Sequence, residues 1–209
     1  MALSDPLLFK RRHNKPFIVP CQGTAAPDAV TTPDVLQRNG TLYFYIGAVD
    51  GDKERLICLT LTSQALLEGK TIEVPNEARV VLNAGPNDFD CYHVFDPAAI
   101  FWANAVFLYY SAIGKGEDSI GLAISEDGFH FTKQSHSLFV GRSPEAVVKD
   151  GLIYLYYVKN DVEGRYAIYA MTSRDGLTFE TVSEDPLLAP GCDADWDGLE
   201  VTTPRVLLI

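Results

Sequence analysis

The stretch VTTPDVL, residues 30–36, returns as VTTPRVL at residues 201–207. Six of seven letters agree, and the one change puts Arg205 where the first copy has Asp34. Two more prolines carry similar frames, DPAAI at 96–100 and SPEAV at 143–147. Aligned on Pro33, Pro97, Pro144 and Pro204, the frames recur at unequal intervals, as repeated units with loops of variable length do. The segments after the first three frames also repeat. An NG, AN or DG turn leads into LYFYIGA (42–48), VFLYYSA (106–112) and IYLYYVK (153–159). Aromatic and β-branched runs entered through tight turns mark hairpins. GLAISEDGFHFTK (121–133) and YAIYAMTSRDGLTFE (166–180) then each give a strand, a Ser-x-Asp-Gly turn and a short strand holding a Phe. Each unit therefore reads as four antiparallel strands, the blade of an all-β propeller.

Three complete units are expected, at about 31–80, 95–140 and 143–190, within a single domain spanning 1–209. A fourth begins near residue 203 and stops after one inner strand. PFIVP (16–20) and PLLAP (186–190) both precede a VTTP frame, so residues 7–19 are expected to supply an outer strand to a blade whose inner strands lie elsewhere. The stretch 61–71 fits either a turn or two of helix or a loop. VLLI (206–209) is an apolar strand with no hairpin partner. A raw strand edge promotes association, so self-association through it is one expectation and a longer propeller the other.

The formal net charge of −11 repels phosphate backbones and anionic lipid, which argues against nucleic acid and membrane surfaces as partners. No apolar run approaches the roughly 18–20 residues of a membrane span. The basic cluster near the N-terminus comes after a short apolar patch, the wrong order for a signal peptide, so a cytoplasmic location is expected. Cys21, Cys58, Cys91 and Cys192 show no metal or disulfide spacing and read as free, mostly buried thiols. His13, His130 and His136 form no metal-ligand grouping, and no phosphate loop or nucleophile elbow is present. Neither a metal nor a cofactor is expected.

Inner strands of a propeller surround one channel, so residues at their starts face a shared pocket. Asp34, Asp96, Glu145 and Arg205 all stand beside a frame proline. Asp96 comes just before its proline, Asp34 and Glu145 just after theirs. Side chains two apart on a regular strand share a face, so all three carboxyls are expected at the pocket. Two carboxyls flanking a bond, one protonated and one ionised, are what glycoside cleavage requires. Arginine can bind hydroxyls or fix a carboxylate. The plain alternative is that these groups solvate a channel and satisfy one another.

The frames TPDVLQRNGTLYFYIGA, FDPAAIFWANAVFLYYSA and SPEAVVKDGLIYLYYV, with the turns SEDGFHF and SRDGLTF, make the chain resemble the five-bladed β-propeller glycosidases. These are glycoside hydrolase families 43, 32, 68 and 117 and relatives, and the β-mannoside phosphorylases share the blade design. The resemblance covers nearly the whole chain. It implies hydrolysis of a small neutral oligosaccharide or glycoside, by inversion. Asp34 would be base or nucleophile, Asp96 the pKa modulator and Glu145 the general acid. The chain departs from family 43 at Thr32, which holds the usual place of the first Asp. That departure leaves a second reading, a non-catalytic carbohydrate-binding or degenerate propeller fragment, and a third, a protein-interaction propeller.

Other residues read two ways. His93 is either a pocket residue or a structural histidine. Trp196, in DADWDGLE, either stacks on a sugar C–H face or packs between blades. Asp195, Asp197 and Glu200 either bond hydroxyls or form a solvated loop. Trp102 reads as core. The Ser-x-Asp-Gly turns resemble the Asp boxes of sialidases and read as turn architecture.

Overall fold

The computed structural model describes residues 15–192 and 194–208. Residues 7–14 of the expected outer strand lie outside the described residues. The chain runs β1 (Ile18–Val19), β2 (Ala29–Arg38), β3 (Thr41–Asp50), β4 (Lys53–Thr62), α1 (Ser63–Glu68), β5 (Ile72–Glu73) and β6 (Arg79–Leu82). It continues through β7 (His93–Trp102), β8 (Ala105–Ile113), β9 (Ser119–Ser125), β10 (Thr132–Lys133) and β11 (Phe139–Val140). It ends its strands with β12 (Arg142–Lys149), β13 (Leu152–Asn160), β14 (Tyr166–Ser173) and β15 (Glu180–Thr181).

Three antiparallel blades result, ordered β2-β3-β4-β6, β7-β8-β9-β10 and β12-β13-β14-β15. β11 adds to the second blade by pairing with β9. The inner strands β2, β7 and β12 stand side by side in that order. The ambiguous stretch near 61–71 contains the short helix α1. Ile18–Val19 pairs in parallel with β5, beside the first blade, rather than completing a distant one.

Both faces of a blade are buried, which is why the strands are so apolar. On β3, Tyr43 and Tyr45 turn toward the second blade while Phe44 and Ile46 turn toward Phe17 and Ile18. On β8, Leu108 and Tyr110 face the first blade and Phe107 and Tyr109 the third. This period-2 division gives each interface its own core.

A polar bond between blades repeats with the fold. The Tyr45 hydroxyl of the first blade donates to Gly128 O in the Ser-x-Asp-Gly turn of the second, at 3.0 Å. Tyr109 of the second blade donates to Gly176 O in the third blade's turn, at 3.1 Å. Those turns are built alike. Asp127 Oδ1 accepts from the backbone N–H groups of Phe129 and His130, and Asp175 Oδ1 from those of Leu177 and Thr178. They are turn architecture, as the sequence indicated. The hydroxyl of Tyr156, the matching residue of the third blade, makes no hydrogen bond among the described residues.

The four cysteines are free, but only Cys58 is buried, and Cys192 is exposed. Trp102 packs partly buried against the core between the second and third blades. No described helix is long and apolar enough to cross a membrane.

Candidate active site

Each of the first three frame prolines sits in a β-bulge. Register shifts lie between Thr31 and Asp34, Phe95 and Ala98, and Arg142 and Glu145. The residue before each of the four prolines has positive φ: Thr32 (31°), Asp96 (46°), Ser143 (50°) and Thr203 (53°). Non-glycine residues are uncommon there, and a β-branched one is an outlier. Such strain collects where a fold re-aims side chains. The bulge ends the simple alternation of the strand, so the residues before and after the proline serve different purposes.

The residues after the proline fasten neighbouring blades. Asp34 Oδ2 accepts from the Ala99 N–H, two residues past Pro97, at 2.6 Å. Glu145 Oε1 accepts from the Val206 N–H, two residues past Pro204, at 3.1 Å. The same carboxyl-to-backbone bond thus joins the first blade to the second and the third to the fourth frame. Arg205 completes this network. It donates to Glu145 Oε2 at 3.0 Å and, at 3.4 Å, to Pro33 O. Burial raises the pKa of Asp34, against the pull of the Ala99 and Val35 amides and of Arg205. Burial also raises that of Glu145. The Val206 amide and Arg205 oppose the rise, while the nearby charge of Asp34 adds to it.

Asp96 belongs to a different network. Buried to 5% exposure, it accepts at Oδ2 from Ser111 Oγ (3.1 Å) and Ser143 Oγ (2.8 Å). Among the described residues no hydrogen bond links it to Asp34 or Glu145. The three carboxyls thus hold different hydrogen-bond partners, Asp34 and Glu145 the backbone of the next frame and Asp96 two serine hydroxyls. A count of two along a regular strand does not apply here, because the pre-proline residue is itself left-handed.

Asp96 lines a polar cleft of about 230 Å³ at the entry ends of β7, β12 and the fourth frame. Ser143 and Thr203 line it from equivalent pre-proline positions, joined by Arg142, Tyr166 and Glu200. The Arg142 guanidinium lies between the rings of Phe95 and Tyr166, 5.6 Å and 5.5 Å from their centroids. Sequence reasoning missed Arg142 and Tyr166. The signal for Arg142 was available, since two residues before the proline it matches Thr31, Phe95 and Thr202.

The remaining candidates fall elsewhere. Thr32 lines an apolar pocket with Phe17, Ile18 and Phe44 on the far side of the first blade. Trp196 is 96% exposed, so it does not pack between blades, and it does not line the cleft. His93 opens β7 near Glu54, a carboxyl the sequence did not single out. Burial raises the Glu54 pKa, the Thr31 hydroxyl and His93 lower it, and the charge of Asp96 raises it further. Glu54 Oε1 accepts from Thr31 Oγ1 at 2.6 Å. Gly47 keeps the space for that contact, because a Cβ there would collide with Thr31 Oγ1 and stand 2.9 Å from Glu54 Oε1. No cluster of His, Cys, Asp and Glu among the described residues is arranged to hold a metal.

No family model matches the sequence, and no curated protein matches it. Solved structures do. Zg3597, a family 117 glycoside hydrolase of the marine bacterium Zobellia galactanivorans, superposes with a TM-score of 0.64 at 21% identity, over 82% of this chain and 50% of its own. A structure from the GH130 mannoside phosphorylases, a family containing glycoside hydrolases that target β-1,2 mannosidic linkages in Candida mannan, gives 0.65 at 16%, over 87% and 61%. A thermostable family-43 glycoside hydrolase gives 0.58 at 22%, over 82% and 57%. The chain thus spans between 50% and 61% of the length of these three. Its fold is the β-propeller of four-stranded antiparallel blades that these glycoside hydrolases share.

Proposed function

We propose that the chain acts on a small neutral oligosaccharide or glycoside, hydrolysing an O-glycosidic bond with a sugar ring held in the cleft beside Asp96. The observation that carries this is the cleft itself. In a glycosidase-like fold, three pre-proline positions bring Asp96, Ser143 and Thr203 to one polar hollow, with Arg142, Tyr166 and Glu200 around them. Hydroxyls, carboxylates and a guanidinium suit the rim of a sugar, and the Tyr166 ring suits its C–H face. Glycoside hydrolysis takes two carboxyls. Asp96 meets the substrate, and Glu200, on the wall of the same cleft, is the second. Asp34 and Glu145 act at one remove, holding adjacent blades and so the cleft walls in place.

A second reading, sugar binding without catalysis, is favoured by the same geometry. Of the three carboxyls that the family resemblance implied, only Asp96 lines the cleft. One experiment separates the two. A panel of aryl glycosides is assayed for release of the aryl alcohol, alongside thermal unfolding with and without the parent sugars. Turnover that Asp96→Asn abolishes supports hydrolysis. A sugar-dependent rise in Tm without turnover supports binding alone. If neither signal appears, both readings are wrong.

A further inference from the structure

The first blade carries an apolar pocket of about 310 Å³ on its far side, walled by Phe17, Ile18, Val30, Val35, Phe44 and Ile46. Phe44 and Ile46 form its buried floor, whereas Val35 stands 45% exposed on its rim. The volume lies within the roughly 300–1,000 Å³ of small-molecule sites, and an aromatic side chain fits such a space. Thr32 and Pro33 of the first frame also line it. Pro33 O accepts from Arg205 at 3.4 Å, so a group filling the pocket backs the bulge that Arg205 touches.

Part of the pocket's cover already comes from the start of the chain. The rings of Phe17 and Phe44 pack with centroids 6.2 Å apart, and Ile18–Val19 pairs with β5 beside the same blade. The described residues begin at Lys15, two residues before Phe17. Further upstream the sequence carries the apolar run Leu7, Leu8 and Phe9, followed by Lys10, Arg11 and Arg12. Phe9 stands eight residues before Phe17. An extended stretch of that length reaches about 26–29 Å, ample for the chain to turn back onto the pocket. Charge favours the same contact. Residues 1–15 hold Lys10, Arg11, Arg12 and Lys15 against the single acid Asp5, while the whole chain carries −11, so a basic arm meets a strongly acidic body.

We propose that this pocket is the seat of the chain's own N-terminal arm, with the run 7–9 folded back over Phe17 and the Phe9 ring inserted beside Val35 and Phe44. The arm extends the cap that Phe17 and Ile18 begin on the first blade.

Thermal unfolding of the full chain in a double-mutant cycle tests it. Phe9→Ala is expected to lower Tm by about 4 °C or more. Val35→Ser opens the pocket wall at its exposed rim. In that background Phe9→Ala is expected to move Tm by less than about 1 °C. A Phe9→Ala variant that melts with the unaltered chain, or that loses the same amount in both backgrounds, overturns the seat. Amide hydrogen exchange locates the effect without the pocket variant. Phe9→Ala is expected to speed exchange in residues 17–19 and 30–35 and to leave β13 and β14 unchanged. Faster exchange everywhere except at 17–19 and 30–35 also overturns the proposal. Repeating the unfolding over about a hundredfold range of chain concentration separates one chain from two. An effect of Phe9→Ala independent of concentration is expected. An effect that grows with concentration gives the pocket to the arm of a second copy and overturns docking within one chain.

Discussion

Replacing Asp34 by Asn and by Ala separates its two possible uses. A blade fastener needs an acceptor oxygen at that position, whereas a base or nucleophile needs an ionisable one. Asn keeps an oxygen for the Ala99 N–H, which Asp34 Oδ2 now meets at 2.6 Å. It also removes a carboxyl whose ionised form burial disfavours. Ala removes the acceptor and leaves the N–H of a residue only 8% exposed without a partner. An unsatisfied buried donor costs about 1–3 kcal/mol. The stability gap between the two variants is therefore about 1–3 kcal/mol, with Asn the more stable. For a chain of this size each kcal/mol moves Tm by roughly 2–4 °C, so the gap reads as about 2–12 °C. Differential scanning calorimetry at neutral pH measures it. If Asn and Ala melt within about 1 °C of each other, the bond to Ala99 is not holding the blades and the fastener account of Asp34 is wrong.

Three further outcomes are expected from the same structure. Lys133 donates to Asn83 O, Gly85 O and Asp90 Oδ2 at 2.5, 2.7 and 2.6 Å, and Asp90 is fully buried. Lys133→Met leaves that carboxyl without its cation and should cost about 3–5 kcal/mol in urea unfolding, with partial recovery when Asp90→Asn is added. Tyr109→Phe loses the bond to Gly176 O and should cost about 1 kcal/mol or somewhat more, while Tyr156→Phe, at the matching position of the third blade, should be close to neutral. The ordinary pKa of Glu145 is 4.5 and burial raises it in the folded chain. Its contribution to stability is then complete below about 4.5 and is lost as pH rises through the raised folded value. Glu145→Gln should flatten that part of the pH–stability curve, and an unchanged slope would count against the shift.

Much of the fold was legible because a propeller repeats itself. Four proline frames, three aromatic hairpins and two Ser-x-Asp-Gly turns each report the same unit, and agreement between levels makes such a reading sound. The placement of the charged residues was less legible. Asp34 and Asp96 differ by two letters in their frames, which on a regular strand puts them on one face. The bulge and its left-handed pre-proline residue break the regular-strand count, and nothing in the letters TTP or FDP announces a φ of 31° or 46°. Glu54 was invisible for another reason. It comes after a turn in a polar stretch, DGDKER, that reads as solvent-facing, and only Gly47 on the facing strand lets it reach Thr31. Arg142 and Tyr166 come together across β13 from the first and third strands of one blade, at a distance no spacing rule conveys.

On the proposed function the cleft beside Asp96, rather than the Asp34–Glu145–Arg205 network, meets the ligand. The most direct test is the Kd of the tightest-binding sugar for the unaltered chain and for Asp96→Asn, Asp34→Asn and Glu145→Gln, each a near-isosteric change. A loss of about tenfold or more is expected for Asp96→Asn, with the other two binding as the unaltered chain does. Loss of affinity in Asp34→Asn and Glu145→Gln, with Asp96→Asn unaffected, would contradict it.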